Sequence, residues 1–328
     1  MRFKTFLQCK NAIIKVMKAF EVSFNGKVFD YRLGTNLNLK EVREFFEKKG
    51  FVVNKIRQEK RHVVGILQKD NKTYFLKLST TDGISATTHI DYNWNKEINK
   101  YLNGNLVFTV PKNIDEGYYN NLYYILEEYF KGDLLARRPT PHSKEDGYKN
   151  YIDRIIEMSE VIQTFKLEPL SERDKEDYAG WFLEKVKSWY NEIPQDVQQK
   201  YNTNELLKIV ENGYRNLEKR LRHGDFTPWH MIKLQNGKIG LIDGEHAMSN
   251  GVKYYDISYF IQRIFAPMGD ELSANEILHK LKNKNCNIQK LKVVLASRAI
   301  GGFCDEALVL DQADFERADK FKNWVLNL

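Results

Sequence analysis

Residues 221–247, LRHGDFTPWHMIKLQNGKIGLIDGEHA, decide how this chain is read. They set a His-Gly-Asp, a second histidine and an Ile-Asp-Gly-Glu around one turn. Asn236-Gly237 is a strong two-residue hairpin signal, because both residues tolerate the positive φ of a type I′ turn. With those two as the loop, Gln235 faces Lys238, and counting outward puts His230 opposite Asp243. Directly opposed residues hold their Cβ atoms ~5 Å apart. Asp225 lies just upstream, in a segment that Pro228, which has no N–H to give, helps to shape. An imidazole and a carboxylate at that separation can share a divalent cation, while the second aspartate meets a hydroxyl. The plainer alternative is a polar pair that satisfies itself on a surface hairpin.

The rest of the chain supplies context. Its 328 residues exceed what one core usually holds, so two lobes are expected. Hydrophobic residues at 42% and charged residues at 29% describe an ordinary globular chain, and 13% aromatic residues argue against disorder. The net charge of +7 suits an anionic or phosphorylated partner, but the lysines form no block, so nucleic acid is not expected. Three scattered cysteines, Cys9, Cys286 and Cys304, make neither a zinc site nor a disulfide framework, which fits a reducing cytoplasm. No apolar run is long enough to span a bilayer. The first twenty residues carry five basic residues and no acid. They read as a loose leader, with Met17 as an alternative start, or as an amphipathic helix in peripheral contact with a membrane surface.

Strand and helix signals divide the chain. Residues 20–33 read as a hairpin around Asn25-Gly26, and 38–50 as a helix capped by Asn38, striped by Leu39, Val42, Phe45 and Phe46, and stopped at Gly50. Strand-like runs follow at 51–57, 61–68, 73–79, 106–111 and 121–129, with one helix predicted over 92–104. Helical patterns cover 148–166, 174–192, 203–222 and everything from 254 onward. The expected organisation is an extension over 1–50, a β-rich lobe over 51–129, and a helical lobe over 130–328 with one embedded hairpin.

The elements HGDFTPWH, LIDGEHA and YYDISYF, in that order, resemble the catalytic region of the aminoglycoside phosphotransferase and choline kinase family. That resemblance implies an α+β, protein-kinase-like fold of two lobes. It implies ATP and Mg²⁺ as cofactors, and transfer of a phosphoryl group to a hydroxyl. It makes Asp225 the catalytic aspartate, Asp243 the principal magnesium ligand and Asp256 a brace for the loop. His230 stands where the commoner pattern has Asn. The variant HxDxxxxH is similar to that of bacterial lipopolysaccharide core sugar kinases, which implies a sugar or glycan acceptor, with aminoglycosides or choline-like amino alcohols as the alternative. His230 is then either a metal ligand beside Asp243 or the mark of a catalytically silent scaffold.

The same resemblance asks the β-rich lobe for a lysine and an acid. Lys77, flanked by apolar residues in TYFLKLS, and Glu97, on the predicted helix, are expected to pair and to hold the nucleotide phosphates. The backbone of Glu128, Tyr129 and Phe130 is expected to receive adenine. No glycine-rich loop is present, so residues 56–65 must cover the phosphates. His223 is expected to brace the loop. Glu245 reads as an aid to a second magnesium or as a solvated acid, and the acids of 304–321 as a solvated helix face or a pocket for a cationic acceptor. The remaining histidines, His62, His89, His142 and His279, carry no readable role.

Overall fold

A computed structural model of the chain describes residues 18–328, apart from 103, 105, 141–143, 176 and 310–312. The basic leader, read as a loose segment or as a membrane-contacting helix, lies outside the described residues, as do Cys9 and His142.

The N-terminal hairpin pairs β1 (Glu21–Phe24) with β2 (Lys27–Asp30) through Asn25 and Gly26, whose φ values are 52° and 72°. Helix α1 (Leu39–Lys48) starts where the Asn38 side chain accepts the Lys40 N–H, and it buries Val42 and Phe46. Strands β3 (Val52–Glu59), β4 (His62–Lys69) and β5 (Lys72–Ser79) follow, then α2 (Asp82–Ile98), β6 (Phe108–Thr109), β7 (Asn113–Tyr119) and β8 (Leu122–Glu128). The sheet runs β3-β4-β5-β8-β7 and is antiparallel throughout.

Two expectations change here. The run 106–111 is not a sheet strand of this lobe. Only Phe108 and Thr109 pair, and they pair in parallel with a strand of the other lobe. The fifth strand is β7, joined to β8 through Asn120 and Asn121 at φ 49° and 64°, a turn that two asparagines make accessible. The helix also begins ten residues before the predicted 92, where Thr81 Oγ1 accepts the Ile84 N–H. Its first turns bury Ser85, Thr87, Thr88 and Asp91, so they carry no apolar stripe to detect.

Beyond β8 come β9 (Gly132–Leu134), α3 (Ile152–Ile162), α4 (Tyr178–Glu192), α5 (Gln195–Lys200) and α6 (Asn204–Gly213). The predicted helix 203–222 is thus split, and its end is β10 (Lys219–Arg222). The break falls at Gly213, where an added Cβ would sit 2.3 Å from Val293, so the chain turns away as it meets the helix carrying that valine. Then follow β11 (Met231–Leu234), β12 (Ile239–Leu241), β13 (Met248–Val252), α7 (Tyr255–Phe265), α8 (Glu271–Asn283), α9 (Ile288–Ala307) and α10 (Phe315–Leu326). A second sheet runs β6-β12-β11-β9, and β10 pairs with β13. No helix among the described residues is long and apolar enough to cross a membrane.

Each lobe has its own core. Val42, Phe46, Val63, Leu76, Leu78 and Tyr124 anchor the smaller. The larger is helical, but it also takes in Ile90, Trp94 and Ile98 of α2, so that helix belongs to both lobes. The N-terminal hairpin lies against α2 at Gly83, where an added Cβ would meet the Asp30 carbonyl oxygen at 2.0 Å. Because that oxygen is backbone, Gly83→Ala is expected to destabilise the protein by roughly 1–3 kcal/mol. A urea titration checks this, and an unchanged midpoint would contradict the packing.

Candidate active site

Strand β10 delivers the chain into a loop that the next helix holds. Asp256, in the first turn of α7, accepts the N–H of His223 at 2.8 Å and of Gly224 at 2.9 Å. Burial pushes the Asp256 carboxyl up to about 6 against the pull of these two N–H groups. Gly224 has φ +88°, and a Cβ there would lie 2.1 Å from the His246 carbonyl oxygen, so glycine is required on both counts. His223 is fully buried, with its ring 5.2 Å from that of Trp94, and burial lowers its pKa to about 4. It is a neutral packing group, and Asp225 projects from the loop that it fills.

The hairpin register differs from the expected one. Met231 pairs with Leu241 and Lys233 with Ile239, so His230 opposes Ile242, whose N–H it accepts at 3.0 Å. The loop has three residues, Gln235, Asn236 and Gly237, closed by Leu234 N–H to Lys238 O at 3.0 Å, with only Gly237 left-handed, at φ +79°. A one-residue slip would normally send Asp243 to the other face. Asp243 instead follows the end of β12 and takes φ +68°, which swings its carboxylate back to His230 Nε2, 3.2 Å away. The other ring nitrogen, Nδ1, lies 3.0 Å from the Asp225 carbonyl oxygen and 3.6 Å from its carboxylate. Burial works against protonation of this ring, but Asp225 and Asp243 outweigh it and raise its pKa.

Lys77 sits on β5 facing the hairpin. Its Nζ bonds Asp91 at 2.7 Å, bonds Asp243 more closely still, and lies 3.6 Å from Glu245. Burial opposes the ammonium, yet Asp243, Asp91 and Glu245 hold its pKa well above the ordinary lysine value. Burial would raise the Asp243 carboxyl, but Lys77 and His230 keep it well below the usual range. Asp91 also accepts the Gly244 N–H at 2.7 Å, tying α2 to the backbone after Asp243.

Glu97 does not reach Lys77; it pairs with Lys100 on the helix surface. It stands six residues beyond Asp91, about 240° further round the helix and about 9 Å along it. Glu245 is fully buried and is neither a solvated acid nor free for a second metal. It pairs with Arg61 from the β3–β4 turn, and although burial raises its carboxyl, Arg61 brings it down to about 2. The residues expected to cover the phosphates are thus a tight turn latched by Arg61. Of the three residues expected to face adenine, Glu128 gives its N–H to the Lys112 carbonyl at 2.9 Å, and Phe130 packs its ring on Gly240. Tyr129 stands between them. His62 contacts Thr88 at 3.0 Å, His89 stacks on Tyr123, and His279 reaches Asn283, all outside the Asp225 loop.

Asp225, His230 and Asp243 each offer one ligand atom, and these atoms lie within 4.8 Å of one another. Two carboxylate oxygens and an imidazole nitrogen make a set that a divalent cation fits. Residues 62–278 match the profile of the phosphotransferase enzyme family. The chain belongs to that family. Its members are phosphotransferases that move a phosphoryl group to a hydroxyl. No curated protein matches the chain by sequence. Solved structures share the fold at low identity. One is a thermostable mutant of aminoglycoside phosphotransferase APH(4)-Ia, in ternary complex with ADP and hygromycin B. It has TM-score 0.62 and 12% identity, over 88% of this chain and 98% of that one. Choline kinase LicA from Streptococcus pneumoniae has TM-score 0.57 and 14% identity, over 88% and 99%. A putative aminoglycoside phosphotransferase from Ralstonia eutropha JMP134 has TM-score 0.54 and 12% identity, over 89% and 99%.

Asp91 and Arg61 are the site residues that sequence reasoning passes over. A phosphotransferase that needs its lysine held in place should depend on the acid that holds it. Asp91→Asn is expected to lower kcat/KM by roughly 10²-fold, whereas Glu97→Gln stays within about twofold. Steady-state kinetics on the two variants distinguishes them, and the reverse order would contradict the pairing.

Proposed function

We propose that the chain is an ATP- and Mg²⁺-dependent kinase acting on a hydroxyl of a small molecule, a sugar or glycan component. The observation that carries this is the convergence of Asp225, His230 and Asp243 beside the Lys77–Asp91 pair. In this reading residues 51–129 hold the nucleotide, 130–328 carry the acceptor site, and 1–50 pack on the first lobe. Lys77, fixed by Asp91, holds the nucleotide phosphates. The hinge at 128–130 meets adenine through the Glu128 carbonyl and the N–H groups that follow it, since the Glu128 N–H is already taken.

Asp243 and His230 are the groups that would hold magnesium. Magnesium, when bound, neutralises charge on the phosphates. His230 donates its Nδ1–H to the Asp225 carbonyl, so release of the Nε2 proton would free a lone pair on the Asp243 side, and the His in place of Asn could still offer a ligand atom. Asp225 orients the acceptor hydroxyl. The hydroxyl oxygen bonds to the γ-phosphorus, the bond to the β,γ-bridging oxygen breaks, ADP leaves, and Asp225 takes the hydroxyl proton late in the transfer. A sugar or glycan acceptor is supported by the HxDxxxxH pattern and by the positive net charge. Cys286 and Cys304 are free thiols, consistent with work in a reducing cytoplasm.

Asp225→Asn is expected to reduce kcat by about 10²–10⁴-fold while leaving the KM for ATP little changed. ADP release with a panel of sugars and sugar phosphates measures this. Near-full turnover in the variant would remove Asp225 from the mechanism.

A further inference from the structure

Beside the catalytic loop, and lined in part by Gly224 and His246, is a cavity of about 310 Å³. That is near the small end of ligand pockets, ~300–1,000 Å³. A larger cavity of about 870 Å³, around Gln163 and Cys286, touches neither the Asp225–His230–Asp243 cluster nor the Lys77–Asp91 pair. The smaller one is notable for its charge. Arg173, Lys185, Arg222 and Arg298 all face it. Among the described residues none of these four cations pairs with a carboxylate. Arg173 bonds the Ala247 carbonyl at 2.9 Å, Lys185 the Ala19 carbonyl, Arg222 the Met248 sulfur at 2.8 Å and Arg298 the Tyr255 hydroxyl at 3.2 Å. The Nε atoms of all three arginines are buried without a partner. Arg222 and Arg298 are 5% and 3% exposed. The one acid that lines the cavity among the described residues, Asp305, is committed to Arg263 at 2.9 Å.

Aromatic rings hold these cations in place. The Arg222 guanidinium lies 3.9 Å from the Tyr255 ring centre, and that of Arg298 lies 4.2 Å from Tyr259. Ring faces favour cations, but less than a carboxylate does, and buried charges ordinarily meet counter-charges. Burial above all, and then the nearby Arg173 and Arg222, push the Lys185 pKa down to about 7.

We propose that this cavity is the acceptor subsite, and that the acceptor is a hydroxyl compound carrying phosphate or carboxylate groups, held by Arg173, Lys185, Arg222 and Arg298. Its role as acceptor subsite rests on the kinase reading above. A cationic acceptor, such as choline or an aminoglycoside, would face three guanidinium groups and Lys185, with no free acid among the described lining residues. Among the described residues of 304–321 the other acids are paired: Glu306 and Asp314 with Arg317, Glu316 with Lys200 and Asp319 with Lys322.

The test is titration calorimetry, with tryptophan emission followed in parallel because Trp181 and Trp189 line the cavity. The probes are fructose 1,6-bisphosphate, choline and kanamycin, each added to the protein saturated with MgADP. The sugar bisphosphate is expected to bind while the two cations do not. Lys185→Met and Arg298→Met are each expected to raise its Kd roughly tenfold or more. Both variants should still bind MgADP, which shows that they fold. Vesicles of phosphatidylinositol 4-phosphate in phosphatidylcholine serve as a lipid-borne source of the same chemistry. Binding of the free bisphosphate marks a soluble acceptor, and binding confined to vesicles marks a lipid-borne one. Binding of neither, binding of choline or kanamycin instead, or unchanged affinity in both variants would overturn the proposal. Anion binding by a protein that fails to bind MgADP would sink the kinase reading and leave the anion site standing.

Discussion

One buried ammonium organises this molecule. Lys77 reaches from β5 to Asp91 on α2 and to Asp243 after β12, with Glu245 beside them. The acids come from both lobes, so the lysine joins what two separate cores would otherwise leave apart. Asp91 strengthens the join because its second oxygen takes the Gly244 N–H. Removing the lysine would leave buried carboxylates without a cation, which costs far more than a surface ion pair is worth. Around it stand four carboxylates, Asp91, Asp225, Asp243 and Glu245, against two permanent cations, Lys77 and Arg61.

The two sides of the Asp225 loop therefore differ in sign. Toward Asp243 the surplus is negative and suits a metal. Toward Arg222 it is positive and suits an anion. Asp225 lies between them, on a loop fixed by Asp256 and given its sharp bend by Gly224. A hydroxyl compound whose own charges face the arginines would present its hydroxyl toward the carboxylate side, so the charges orient as well as bind.

What was legible in the sequence follows from which forces are local. Asn25-Gly26, the Asn38 cap and the apolar stripe of α1 act over a few residues, and they read correctly. Lys77 was legible only in combination: its apolar neighbours set it apart, but the family-like hairpin motif was needed to tell it from an outward-facing strand lysine. The catalytic hairpin was visible too, but its register was not: Asn236-Gly237 serves a three-residue loop as well as a two-residue one, and tertiary pairing chose the former. Asp91 was hidden because the polar face of α2 is buried, which inverts the pattern by which helices are recognised. The cation cavity was beyond reach, since Arg173, Lys185, Arg222 and Arg298 come from four separate stretches and only folding collects them.

The measurement that bears most directly on the site is a thermal shift with ATP, with and without Mg²⁺ or Mn²⁺, on the wild type and on Asp243→Ala. A ligand at about 100 times its Kd adds ~2.7 kcal/mol to stability. For a chain of this size that is a rise of several degrees. The rise is expected to need the metal and to vanish in Asp243→Ala. No rise with any nucleotide and metal, or an equal rise in the variant, would contradict a metal–nucleotide site built on Asp243.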